Sequence, residues 1–295
     1  MAVKRVGVVG CGAMGAGIVQ IALQAGYEVV TSEINDTFLQ KGLDRVKGAF
    51  EKMAAKGAMT PEQKDSTLGR LSGVTALEGL SGCDFIVEAV PEIMSLKLET
   101  FKTLDGICGA DTIFASNTSS FSVSQMAAAT SRPGKFIGLH FFNPAPVMPL
   151  VEVIRTIGTE QEVFDTAFAF VKSLKKTPVV AKDNAGFIVN LLLTPFLLDA
   201  IRAAQEGVAS VADIDAGMKL GCNHPMGPLM LADFIGLDVL LSATHTLFEE
   251  YHEKRYTAPP LMKRMVTLGA LGLKSGKGFY DWSDPKNPKP MDLGI

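Results

Sequence analysis

The chain has four cysteines, one tryptophan and four histidines, and no long apolar run. Cys11, Cys83, Cys108 and Cys222 lie far apart and form no CxxC pair. That argues against a disulfide framework and a zinc site, and it fits a reducing cytoplasm. Three histidines, His224, His245 and His252, have no metal-ligand company, and the last two read as surface residues sharing one helix face. No metal is expected. The most apolar stretch, GFIVNLLLTPFLL (186–198), is thirteen residues long and carries Asn190 and Pro195. A bilayer span needs about 20 residues, so no membrane is expected. The opening MAVKRVGVVGCG runs straight into strand-like sequence and does not read as a signal peptide. Charge is nearly balanced, with a formal net of −3, which gives no reason to expect nucleic acid as a partner.

What is present is an ordinary globular composition, 47% hydrophobic and 20% charged over 295 residues. That is enough chain for two domains, or for one large domain with a smaller unit attached. The segments KRVGVVG (4–10), YEVVTSE (27–33), DFIVEAV (84–90), DTIFASN (111–117), FIGLHF (136–141), LVEVIR (150–155) and TPVVAK (177–182) read as strands. Amphipathic stretches at 35–57, 95–107 and 159–176 separate some of them. Alternation of this kind predicts parallel βαβ units, a Rossmann-like doubly wound α/β sheet domain over 1–183. Residues 35–70 read as a helical excursion from the sheet, with Thr60, Pro61 and Glu62 as an N-cap, a proline at N1 and a first-turn acid. Beyond Asn184 the strand pattern stops, and helices are expected at 186–206, 211–220, 228–253 and 259–272. Residues 184–295 are therefore expected to form an all-helical C-terminal domain.

In VGVVGCGAMGAGIVQIA, Gly10, Gly12 and Gly15 stand in GxGxxG register between a strand and a helix. The first glycine permits a tight turn, the second lets backbone approach a pyrophosphate, and the third lets helix and strand pack closely. Ala13 and Met14 open the helix whose N–H groups would face the phosphates. Gly17 is a further close-packing position. The second strand ends at Glu33, where an acid would accept hydrogen bonds from the adenosine ribose. Ile34, Asn35 and Asp36 follow with no adjacent arginine, so NAD is favoured over NADP. A glycine-rich turn without a ligand is the plain alternative, and the agreement of strand, loop, helix and acid weighs against it.

Chemistry in such sheets gathers at the carboxyl ends of the strands. Glu88 and Glu92 in VEAVPE, Asn117 to Ser120 in ASNTSS, and His140 with Asn143 in GLHFFN all fall there. His140 could be a base, a metal ligand or a strand-terminating residue. The three prolines of NPAPVMP fix φ between it and Glu152. A carboxylate on one ring nitrogen fixes the tautomer and leaves the other nitrogen to accept a proton. Beside a dinucleotide loop, that favours a general base acting on an alcohol.

With these motifs in view, the chain resembles the NAD-dependent L-3-hydroxyacyl-CoA dehydrogenases, in length and motif the single-function 3-hydroxybutyryl-CoA dehydrogenase type. The likeness runs through VGVVGCGAMGAGI, VEAVPE, ASNTSS, GLHFFNPAPVMPLVEV, AGFIVN, GCNHPMGP, ADFIGLD and KSGKGFYDW. It implies His140 as general base, Glu152 as its orienting partner, Ser119 on the substrate oxygens near the nicotinamide, and Asn190 holding substrate and base. It implies Glu33 on the ribose and Glu92, Lys97, Asn143 and Lys274 around the NAD site. Lys52 and Lys56 stand where the family places groups for the coenzyme A phosphates, although two solvated lysines one turn apart would look the same. It further implies an acyl-CoA substrate, a role in fatty acid metabolism such as β-oxidation, and a homodimer formed through the helical domain. The family usually ends its second strand with an apolar pair and Asp, where this chain has Thr31, Ser32 and Glu33. Two rivals remain at this stage. A dehydrogenase of small free hydroxyacids would typically use a lysine base, and a non-catalytic dinucleotide-binding protein would have no need of the Ser–His–Glu–Asn set.

Overall fold

The computed structural model describes residues 3–292 and residue 294. They fall into two compact units, the first ending at Phe187 and the second beginning at Ile188. The strand pattern stops before that division. Ala185 and Phe187 are still buried in the first unit, within a turn closed by Asn184 N–H to the Lys182 carbonyl and Phe187 N–H to the Asn184 carbonyl.

The first unit runs β1 (Arg5–Val9), α1 (Ala13–Gln24), β2 (Glu28–Ser32), α2 (Asp36–Ala55), α3 (Pro61–Leu68), β3 (Leu71–Val74) and β4 (Phe85–Glu88). It continues with α4 (Met94–Ile107), β5 (Ile113–Ser116), α5 (Val123–Ala127), β6 (Phe136–Phe141), β7 (Leu150–Arg155), α6 (Gln161–Ser173) and β8 (Thr177–Lys182). The strands form one eight-stranded sheet in the order β3-β2-β1-β4-β5-β6-β7-β8. Chain order reverses at β1, which pairs with both β2 and β4, and so opens a crevice at the strands' carboxyl ends. β4, β5 and β6 are buried along their whole length, the pattern of a sheet covered on both faces. Val6, Val8, Ile18, Leu23, Phe85, Val87, Leu139 and Val153 belong to one core cluster. Each such side chain contributes about 1.5–3 kcal/mol by leaving water.

Two expectations need correction here. β3, with sequence LSGV and exposed Ser72 and Gly73, carries no apolar alternation because it is an edge strand, and the sequence pattern passes over it. The sheet is also not wholly parallel, since β6 and β7 run antiparallel. The excursion comprises α2, capped by the Asn35 side chain on Phe38 N–H, and α3, with a reciprocal capping box between Thr60 and Gln63 and Pro61 in its first turn.

The second unit consists of α7 (Val189–Gln205), α8 (Val211–Cys222), α9 (Pro228–Ile235), α10 (Leu237–Tyr251) and α11 (Pro260–Thr267), with a short ladder of β9 (Tyr280–Asp281) and β10 (Lys289–Pro290). The expected single helix over 228–253 is two helices bent by 93°. Gly236 lies between them at φ +100, a conformation that L side chains resist. His252 leaves α10 as a left-handed C-cap, so it does not share a helix face with His245. Among the described residues no single helix is long and apolar enough to cross a membrane.

Two buried carboxylates tie this unit together. Asp215 accepts from Leu229 N–H, Met230 N–H and the Tyr280 hydroxyl, at 2.8, 2.9 and 2.7 Å. Asp233 accepts from Phe279 N–H, Tyr280 N–H and the Trp282 indole, at 3.0, 2.8 and 2.9 Å. A Cβ on Gly278 would overlap the Asp233 carboxylate. Gly278→Ala should therefore cost about 1–3 kcal/mol, the range for overpacking a filled interior, measured as a fall in urea midpoint at unchanged slope. A variant as stable as the parent would show that the carboxylate can move aside.

Candidate active site

The glycine loop forms a cradle. Gly10 sits at φ +88, and a Cβ there would lie 2.8 Å from the Ala89 carbonyl oxygen beyond β4. A Cβ on Gly15 would overlap the Gly10 carbonyl, whereas Gly12 faces open space. Gly12 is the N-cap of α1 and supplies no capping side chain, and the first turn, which Ala13 and Met14 open, contains no acid. Unused N–H groups at a positive helix end, beside an opening shaped by glycine, fit a dinucleotide pyrophosphate. Glu33 Oε1 accepts the Cys11 N–H at 2.6 Å. The glutamate's added reach thus sets the acid against the loop backbone itself. Arg45 on α2 donates to the Cys11 carbonyl at 3.4 Å. No arginine adjoins Glu33 in the sequence, and Arg45 stands twelve positions further on. Gly17 packs against the proline loop rather than a strand: its Cβ would lie 3.0 Å from Pro146 Cδ.

Beyond β4 and β5 the polar segments converge. Glu88 is fully buried; it accepts from Lys97 Nζ at 2.7 Å, Ser116 Oγ at 2.6 Å and Val90 N–H at 2.8 Å. Burial still pushes its carboxyl above the usual glutamate value, against the charge of Lys97 and these bonds. Lys97 on α4 is 1% exposed and also meets Glu92 Oε2 at 3.1 Å. The other Glu92 oxygen accepts from the Thr118 hydroxyl at 2.5 Å and from Ser119 N–H at 2.9 Å, with Ser119 Oγ at 3.4 Å. The far end of this serine-rich segment is held by Asp183, which accepts from Val123 N–H and Ser124 N–H at 2.8 and 2.6 Å and so caps α5. Asp183 carries no local signal for this role, because its partners lie about sixty positions earlier.

His140 and Glu152 are direct cross-strand partners in the antiparallel register of β6 and β7. His140 Nδ1 lies 2.6 Å from Glu152 Oε2, with 6% and 0% of the two residues exposed. The rings of Phe142 and Phe187 stand 4.4 and 5.7 Å from the imidazole. Asn117 Oδ1 accepts the Phe141 N–H at 3.0 Å and ties the end of β6 to the segment after β5. The connecting loop is pinned by Lys176, which donates to the Pro146 and Met148 carbonyls at 3.1 and 2.8 Å. Desolvation lowers that ammonium's pKa from the ordinary lysine value. Lys176 was invisible in sequence, since its partners are backbone atoms some thirty residues away.

The structure therefore gathers His140 with Glu152, and Ser119 with Glu92 and Lys97, within the first unit. Asn143 is exposed in the proline loop, and Lys52 and Lys56 are exposed at the end of α2. Asn190 and Lys274 belong to the second unit, Asn190 in the first turn of α7 and Lys274 paired with Asp238 at 2.6 Å. Among the described residues no three His, Cys, Asp or Glu side chains gather that could hold a metal ion.

Glu92 titrates below the ordinary value of 4.5. Burial pushes it up, but the charge of Lys97 and the hydrogen bonds from Thr118 and Ser119 outweigh that. Its stabilising contribution is therefore complete above pH 4.5 and is lost as pH falls through the lower folded value. The stability gap between the parent and Glu92→Gln, read by urea unfolding, should stay constant from neutral pH to 4.5 and close below it. A gap undiminished at about pH 3 would disconnect the stabilisation from ionisation.

The family profile of the 3-hydroxyacyl-CoA dehydrogenase NAD binding domain matches residues 5–184, and that of the 3-hydroxyacyl-CoA dehydrogenase C-terminal domain matches residues 186–282. The probable 3-hydroxybutyryl-CoA dehydrogenase of Bacillus subtilis is 44% identical over 284 residues, 96% of this chain and 99% of that one. The mitochondrial hydroxyacyl-coenzyme A dehydrogenase of Rattus norvegicus is 43% identical over 291 residues, 95% of this chain and 91% of that one. The solved structure of (S)-3-hydroxybutyryl-CoA dehydrogenase PaaH1 from Ralstonia eutropha superposes with a TM-score of 0.92 at 43% identity, covering 96% of this chain and 100% of the other. With a glycine cradle, an acid on its rim and two family domains that together span most of its length, the chain belongs to the 3-hydroxyacyl-CoA dehydrogenase family and is an NAD-dependent oxidoreductase.

Proposed function

We propose that the chain interconverts (S)-3-hydroxyacyl-CoA and 3-oxoacyl-CoA, with the short-chain 3-hydroxybutyryl-CoA as its substrate, and that His140 and Glu152 form the general-base pair. The contact of 2.6 Å between His140 Nδ1 and Glu152 Oε2 carries this reading. A carboxylate on Nδ1 holds the proton there and leaves Nε2 as the acceptor. In oxidation Nε2 takes the C3 hydroxyl proton, and Glu152 stabilises the imidazolium that forms. In reduction the same nitrogen returns the proton to the carbonyl oxygen. Bound NAD supplies the two-electron exchange with C3. Phe142 and Phe187 beside the imidazole keep water from it.

Ser119 and Asn190 bind the reacting oxygens in this reading. The backbone from Gly10 through Gly12, Ala13 and Met14 to Gly15 holds the pyrophosphate, and Glu33 takes the ribose hydroxyls. Glu92, Asn143 and Lys274 serve the nicotinamide half, with the buried Lys97 behind Glu92. Lys52 and Lys56 offer two exposed ammonium groups to the coenzyme A phosphates. The helical unit forms the homodimer contact, for which the exposed Leu192, Leu220, Phe234 and Leu268 supply apolar surface. The protein is assigned to the cytoplasm.

The test is NADH oxidation with acetoacetyl-CoA, the parent beside two variants. His140→Ala should lose about 10²–10⁴ of the rate. Glu152→Gln should be slowed with NADH affinity unchanged. Near-normal turnover in His140→Ala would sink the base assignment, and lost NADH affinity in Glu152→Gln would mean a structural defect instead.

A further inference from the structure

Lys97 is a buried cation with two carboxylates to serve. Its Nζ lies 2.7 Å from Glu88 and 3.1 Å from Glu92, so it leans toward Glu88. Glu88 does not reach the crevice, being fully buried and also bound by Ser116 Oγ and Val90 N–H. Glu92 does reach it, 36% exposed at its side chain, and one of its oxygens carries Thr118 and Ser119. The serine segment is thus anchored on a carboxylate that is pulled from behind by a shared ammonium.

We propose that Glu88 is a positioning residue for substrate binding: by holding Lys97 it limits that lysine's pull on Glu92 and keeps Glu92 against Thr118 and Ser119. This rests on the assignment of Ser119 to the substrate. In a site of low effective dielectric the attraction between ions is strong. Glu88 holds the ammonium on its own side, at 2.7 Å against 3.1 Å from Glu92. With the charge on Glu88 removed that hold is lost, Lys97 closes on Glu92 Oε2, and the carboxylate turns toward it and away from the serine segment.

Glu88→Gln keeps the shape and removes the charge. It should raise KM for acetoacetyl-CoA about tenfold, the equivalent of one lost charge-assisted hydrogen bond, at saturating NADH and with kcat unchanged. A partly unfolded enzyme would lower kcat and leave KM alone, so the split separates positioning from damage. Amide exchange across 117–122 should quicken in the same variant. The balanced pair Glu88→Gln with Lys97→Met removes the pull together with its restraint, and should bring amide exchange across 117–122 back toward the parent.

An unmoved KM and unmoved exchange in Glu88→Gln would overturn the proposal. So would exchange in the balanced pair as fast as in the single variant, because Glu88 would then act by some route other than Lys97. If Glu88→Gln does not fold, the pair decides alone: parent-like exchange across 117–122 supports the proposal, and quickened exchange refutes it. Ser119→Ala separates the two readings. Should it leave KM unchanged, the substrate role of Ser119 falls, and amide exchange alone then tests the coupling from Glu88.

Discussion

The antiparallel pairing of β6 with β7 is the constraint on which the candidate active site depends. In that register His140 stands opposite Glu152, so the two side chains leave the sheet on the same face at cross-strand contact distance. A slip of one residue would turn Glu152 to the other face and leave a carboxylate buried without its imidazole. Glu152 is fully buried, so that arrangement would be costly, and the same cost helps to hold the register. The remaining sheet order puts this pair near the segments beyond β4 and β5, because β4, β5 and β6 are consecutive neighbours.

Loops around the site are held by side chains from distant parts of the same unit. The proline loop rests on α1, where Gly17 permits close approach to Ala145 and Pro146, and its carbonyls are taken by Lys176. The serine segment is fixed at one end by Glu92 and at the other by Asp183. Side chains that bond backbone groups stiffen a loop without adding secondary structure. A site of this kind needs such stiffness, since the groups that handle a proton must meet it within hydrogen-bond reach.

Much of this was legible in the sequence, for identifiable reasons. Gly10, Gly12, Gly15 and Glu33 are legible because cofactor geometry imposes residue type and spacing together. His140 and Glu152 stand out as two polar residues in apolar strands, though the sequence pattern credits the proline loop with bringing them together, and the structure shows strand register doing so. The antiparallel turn could not be read, because a strand buried on both faces looks alike in either direction. β3 was hidden by its edge position, and the break at Gly236 by an apolar pattern that continues on both sides of it. Arg45, Lys176 and Asp183 act on backbone atoms far away in sequence, where spacing carries no information.

The two units handle buried acids in different ways, and the difference bears on where proton chemistry can occur. Among the described residues Asp215 and Asp233 have no basic partner; backbone N–H groups, a phenol and an indole hold them. Burial moves the Asp233 carboxyl and the Tyr280 hydroxyl upward. None of their donors titrates near neutral pH, so this network fixes the path of the chain and has no proton to pass on. In the first unit the partner of Glu152 is an imidazole, a ring with one nitrogen to donate and one to accept. A carboxylate that fixes the tautomer of such a ring can stabilise its protonated form without becoming protonated itself. By that criterion the bond between His140 and Glu152, unlike those of Asp215 and Asp233, has the chemical make-up that the proposed general-base role requires.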